Sequence, residues 1–135
     1  MALMTWSEEY SVRIKEFDRQ HRQLIELVGE MEAAIGAGSE ATLLIPSIRR
    51  LALLTREHFS SEEEVMARTN YPDYDVHRLI HHLLGSHLDF YVERFERGEV
   101  ILNIELLDFL RDWLDKHIMG MDKSYSDYLN AQGVF

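Results

Sequence analysis

Residues 51–81, LALLTREHFSSEEEVMARTNYPDYDVHRLIH, hold two helical stripes and the break between them. Leu51, Leu54, His58, Glu62 and Val65 recur at three- and four-residue spacing, the period of one face of an α-helix. Asn70-Tyr71-Pro72 ends that stripe, because proline lacks the N–H that would continue a helix and pushes the preceding residue out of the helical region. A second stripe starts with Asp73 or Asp75 near its N-terminus and runs through His77, Ile80, His81, Leu84, Leu88, Tyr91 and Phe95 to Gly98. Both stripes carry ionisable side chains where leucine is expected.

The same period extends outward in both directions. Upstream, His21, Leu24, Ile25, Val28, Met31 and Ile35 follow Asp18, read as an N-cap, and stop at Gly36-Ala37-Gly38. Downstream, Asn103 reads as an N-cap with Glu105 in the first turn, ahead of Leu107, Leu110, Trp113, Leu114, His117 and Met121. The expected helices cover about 18–36, 41–69, 74–97 and 103–129, with Pro46 marking where the regular part of the second begins. Short connections make successive helices antiparallel neighbours. The expected fold is all-α: an up-down-up-down antiparallel four-helix bundle within one domain, 1–135. Residues 1–17 place Trp6, Tyr10 and Phe17 at irregular spacing and read as an N-terminal arm that lays aromatics on the bundle.

Composition narrows the function classes. A chain of 135 residues with 46% hydrophobic content has room for one domain with its own core. With 24 acidic against 14 basic residues, the net charge of −10 repels nucleic acid and anionic membranes. No apolar run approaches a membrane span, and the start MALMTWSEEYS lacks the basic-then-apolar pattern of a secretory signal, so a cytoplasmic monomer is expected. The absence of cysteine removes disulfides, thiolate metal sites and thiol catalysis.

His21, His58, Glu62, His77, His81 and His117 all lie on inward stripes. An unpaired buried polar group costs about 1–3 kcal/mol, so several together would erode a stability of about 5–15 kcal/mol unless something accepts their lone pairs. The spacing suits a metal: His58/Glu62 and His77/His81 are four residues apart, offset by about 40° on a helix. His117 and Asp122 are five apart, about 140° around an ideal helix, so either the carboxylate swings inward or the helix is distorted; Gly120 permits a distortion, and one is expected there. Five imidazoles and two carboxylates are too many for one tetrahedral zinc and too nitrogen-rich for calcium or magnesium. They suit two transition ions such as iron, and with bridging carboxylates and one solvent-derived bridge they fill all but one of the positions two six-coordinate ions offer. His82 and His87 turn away from this face, and Glu63 and Glu64 read as a solvated charged surface. No polar group beyond the seven stands out as a proton donor. The Glu-x-x-His of ferritin-like di-iron proteins occurs nowhere in the chain.

The stretches Phe17-Asp18-Arg19-Gln20-His21, His58-Phe59-Ser60-Ser61-Glu62-Glu63, Tyr71-Pro72 leading to His77-x3-His81, and Trp113-x3-His117-Ile118-x3-Asp122 together resemble the hemerythrin family in its single-domain bacterial form, bacteriohemerythrin. The resemblance spans about Trp6 to Leu129. It implies two iron ions with an oxo or hydroxo bridge that bind dioxygen reversibly. By matching position, His77, His81 and His117 would hold one iron, His21 and His58 the iron with the open position, and Glu62 and Asp122 would bridge. Leu24, Phe59, Trp113, Leu114 and Ile118 would form the apolar oxygen pocket. The implied role is a dioxygen carrier, store or delivery protein, with an oxygen-consuming enzyme or a reductase as its protein partner. The alternatives are a detoxifying oxidase or peroxidase and an oxygen or redox sensor.

Overall fold

A computed structural model of the chain describes residues 4–99 and 104–135. Helices α1 (Lys15–Gly36), α2 (Ile45–Arg68), α3 (Tyr74–Glu96) and α4 (Ile104–Lys116) make an up-down-up-down antiparallel bundle. Helix α1 packs against α2 and α4, and α2 against α3, while His87 and Tyr91 of α3 meet Phe109 of α4. The chain leaves α4 through a π-helical turn, His117–Asp122, then a 3-10 turn, Lys123–Tyr125, and a short helix α5 (Ser126–Ala131). No strand occurs among the described residues, and no helix there is long and apolar enough to cross a membrane.

Two boundaries differ from the sequence reading. Helix α1 begins at Lys15, not at Asp18, with Ile14 in the cap position and no side-chain cap bond. Asp18 instead ties down the arm: its carboxylate accepts the Val12 N–H (2.8 Å) and the Ser11 hydroxyl (2.6 Å). Phe17 therefore belongs to the helix. The second segment opens as a 3-10 turn, Ala41–Leu44, and becomes α-helical at Ile45, with Pro46 in the first turn, where its missing N–H costs nothing. The cap expected at Asn103 lies outside the described residues.

The helix stops follow the sequence signals. Gly38 and Asn70 both take left-handed φ (84° and 55°), which lets the next N–H turn back onto the helix, Ser39 to the Ala34 carbonyl (3.0 Å) and Tyr71 to the Met66 carbonyl (2.9 Å).

The core is in two parts. One cluster joins Leu24, Ile25, Val28, Leu51, Leu88, Leu107, Leu110, Leu114 and Ile118; the other joins Val12, Ile14, Phe17, Met66, Tyr71, Tyr125 and Leu129. The ionisable residues of α1, α2 and the π turn fall between these two sets in the chain: His21 between Phe17 and Leu24, His58 and Glu62 between Leu51 and Met66, and His117 and Asp122 between Leu114 and Tyr125.

The arm crosses the first cluster. Trp6 and Tyr10 pack on it as half-buried rings, and the Met4 N–H donates to the buried Glu32 carboxylate (2.9 Å), which also meets Arg111 (3.3 Å). Gly29 permits this crossing, because a Cβ there would run into the Met4 carbonyl. Gly29→Ala is therefore expected to displace the arm and cost about 1–3 kcal/mol, an overpacking penalty measurable by urea unfolding. Gly120→Ala, whose added Cβ meets nothing within 4 Å, is expected to stay within about 0.5 kcal/mol of the parent in the same assay.

Candidate metal centre

The π turn solves the spacing of His117 and Asp122. Its i→i+5 hydrogen bonding stacks residues five apart, so both side chains enter the bundle from one element. Gly120 lies in this turn without a positive φ, so the distortion does not depend on glycine's freedom. It is imposed by the two buried side chains that must share one face.

All seven expected donors are buried and converge. Glu62, His77, His81, His117 and Asp122 each bring one donor atom within 4.8 Å of the others, and His21, His58, Glu62 and Asp122 do the same. The two groups share only the carboxylates, which lie between three imidazoles on one side and two on the other. The inward Nε2 atoms of His77, His81 and His117, with one oxygen each of Glu62 and Asp122, have no hydrogen-bond partner. His21 Nε2 stands 2.8 Å from His58 Nε2 and 2.7 Å from an Asp122 oxygen. Lone pairs pointed at each other in a dry core are costly unless a cation or proton sits among them. The donor set fits a pair of transition-metal ions: imidazole nitrogens for each, and carboxylates able to bridge.

Three residues outside the seven support them. Gln20 Oε1 accepts the His58 Nδ1–H (2.7 Å), and Glu63 accepts the His81 Nδ1–H (3.3 Å). A proton held on the outward nitrogen leaves the lone pair of Nε2 facing the centre, which is the tautomer a metal needs. Glu63 is thus a half-buried charge paired with His81, not a freely solvated one. Tyr125, fully buried with its ring edge-on to Phe17, donates its hydroxyl to the second Glu62 oxygen. It supplies the proton-bearing group near the centre that the sequence reading did not find. Gln20 carried one signal, its place directly before His21; Tyr125 carried none, since an aromatic at helical spacing reads as core.

In the metal-free chain this arrangement stores protons. Burial pushes the His58 pKa down, but the adjacent Glu62 and Asp122 carboxylates outweigh it and carry it up to about 10. For His77 burial is again overcome by the nearby Asp122 and Glu62 carboxylates, giving about 9. His21 is held below its ordinary value by burial and by the neighbouring His58 charge. Burial and mutual repulsion push Glu62 up, yet the neighbouring His58 and His77 imidazoles hold it well below the usual carboxylate range. Asp122 also ends well below, because His117, His21 and His58 outweigh its burial.

The comparisons agree with this geometry. Residues 12–129 match the family model described as the hemerythrin HHE cation binding domain. The chain belongs to the hemerythrin family. It is 33% identical over 131 residues to a bacteriohemerythrin of Stenotrophomonas maltophilia, covering 97% of this chain and 84% of that protein. It is 32% identical to a bacteriohemerythrin of Methylococcus capsulatus, covering 97% and 100% of the two. A crystal structure of wild-type hemerythrin superposes with a TM-score of 0.87 at 29% identity, over 95% of this chain and 98% of that one.

Against the hemerythrin site, the five expected pocket residues divide into two kinds. Phe59 stacks flat on the His81 ring (centroids 3.9 Å, 8° between planes), and half-buried Trp113 lies parallel to His117 (6.0 Å, 12°). Leu24, Leu114 and Ile118 are fully buried in the first apolar cluster. His82 and His87 are exposed, His87 stacking on Tyr91.

Two pH effects follow for the metal-free protein. His58 and His77 have folded-state values above the ordinary 6.5, so the stability they contribute is complete below pH 6.5 and is lost as pH rises through about 9–10. Glu62 and Asp122 have depressed values, so their contribution is present above 4.5 and 3.8 and is lost as pH falls below these. Thermal melts of metal-free protein should peak between these limits. Because ion uptake must displace the His58 and His77 protons, zinc titration at pH 7 should release protons, giving calorimetric heats that differ between two buffers of unlike ionisation enthalpy. Equal heats would contradict this.

Proposed function

We propose that the chain binds two iron ions and, through them, dioxygen reversibly, as a carrier, store or delivery protein rather than an enzyme. The observation that carries this reading is the unequal division of five imidazoles, three against two, across a shared pair of buried carboxylates. His77, His81 and His117 would fill one position, His21 and His58 the other, and Glu62 and Asp122 would serve both. The position with fewer donors is the one left able to accept a small ligand. When bound, a ferrous pair supplies the electrons that dioxygen takes up on arrival and returns on leaving.

The chain's own part is to hold and to exclude. Phe59 and Trp113 cover the His81 and His117 rings, and Leu24, Leu114 and Ile118, buried in the first apolar cluster, would form an apolar wall with no group able to order water. Exclusion of water matters because solvation of separated charge favours irreversible oxidation over release of the neutral gas. Tyr125 fixes Glu62 by donating to the oxygen that does not face His58. Dioxygen is neutral, small and apolar, so a wall of this kind admits it while rejecting hydrated ions.

Anaerobic loading with ferrous iron should give about two irons per chain, and the oxygenated form should return to the starting spectrum when oxygen is withdrawn under vacuum. Steady consumption of oxygen in its place would identify an oxidase. His117→Ala should lose one or both irons by metal analysis. Leu24→Ala and Ile118→Ala should keep both irons but shorten the lifetime of the oxygenated form, followed by its absorbance, by admitting water to the centre.

A further inference from the structure

The outer supports of the two metal positions differ in charge. Behind His58, on the two-histidine side, stands Gln20, a neutral amide; behind His81, on the three-histidine side, stands Glu63, a carboxylate. The amide cannot be turned round. Gln20 Nε2 donates to the Ser61 hydroxyl (3.0 Å) and to Glu16 Oε1 (3.3 Å), while Ser61 spends its own proton on the Glu57 carbonyl (2.9 Å). Glu16 and Ser61 both require a donor, so the amide oxygen is left for His58. His21 and His117 have outward nitrogens with no partner.

A carboxylate accepting the far N–H of an imidazole draws that proton outward and makes the ring a stronger donor, whereas an amide does so weakly. Building on the di-iron reading, we infer that Gln20 and Glu63 act as positioning residues that set the two metal sites apart. Glu63 strengthens the three-histidine position so that it binds an ion more tightly and favours the higher charge. Gln20 orients His58 without adding charge, and so keeps the two-histidine position the weaker and more Lewis-acidic of the pair. The asymmetry directs a small ligand to one ion, and it restrains oxidation at that ion, because no anion accepts the outer N–H of His58 directly to stabilise the ferric state.

The test uses the full chain and zinc, competed with a chromophoric chelator, so that it does not depend on oxygen chemistry. The parent should take two ions with unequal affinity. Glu63→Gln keeps the hydrogen bond and removes the charge; it should weaken the tighter step by about tenfold or more and leave the weaker step within twofold. Glu63→Leu, which removes the bond as well, should weaken it further, and its His81 imidazole should show a changed nitrogen-15 shift where Glu63→Gln does not. Gln20→Glu, made together with Glu16→Gln to avoid two facing carboxylates, should tighten the weaker step, and with iron loaded should lower the midpoint potential. Unchanged steps in the charge variants, or both steps weakened equally, would overturn the inference while leaving a two-ion site intact. A parent that takes up fewer than two ions would overturn the functional reading itself and this inference with it.

Discussion

The structure depends on how seven donor side chains are kept in a dry interior. Five imidazoles and two carboxylates are almost fully buried, with lone pairs directed at one another, and no surrounding apolar packing offsets that cost. In the metal-free chain the compensation is protonic: His58 and His77 hold protons tightly against Glu62 and Asp122, and His21 stays neutral beside them. Two cations answer the same need with more charge and more directed bonds. The same geometry would therefore let protons stabilise the chain without metal and give way to cations when these bind.

The bundle is arranged around that layer. Apolar packing is divided into two clusters with the polar residues between them, so α1, α2 and α3 have contacts on both sides of the site, and the chain beyond α4 reaches the second cluster through Tyr125 and Leu129. The π turn at His117–Asp122 is the local consequence. An α-helix there would direct either the imidazole or the carboxylate away, and a single widened turn recovers both at little cost in backbone bonding. The following 3-10 turn and α5 then carry Tyr125 to Glu62 and Leu129 into the second cluster.

Around the donors lies a layer that decides what the centre can do. Rings cover the His81 and His117 imidazoles, a tyrosine fixes one of the two carboxylates shared by the donor groups, and an amide and a carboxylate set the tautomers on opposite sides. A donor set alone describes a cation site. The unequal support of its two halves, and the apolar cluster that holds Leu24, Leu114 and Ile118, are what the proposed reading as a gas-binding centre rests on.

Much of this was legible in the residues. Helical periodicity with polar groups inside the stripe marked the bundle and the seven donors, since a 3.6-residue repeat fixes which side chains share a face. The five-residue step from His117 to Asp122 marked the distortion, because no ideal helix superposes such a pair. What the sequence left open depends on neighbours brought from far along the chain. Asp18 looks like a cap until the arm folds back and offers it Ser11 and Val12. Glu63 looks solvated until α3 brings His81 against it, and Tyr125 looks like core until Glu62 meets its hydroxyl from 63 residues away. Local periodicity determines the direction a side chain takes from its helix; only the packed bundle decides which atom waits at the other end, because hydrogen bonds are fixed by ångström distances that no one-dimensional pattern encodes.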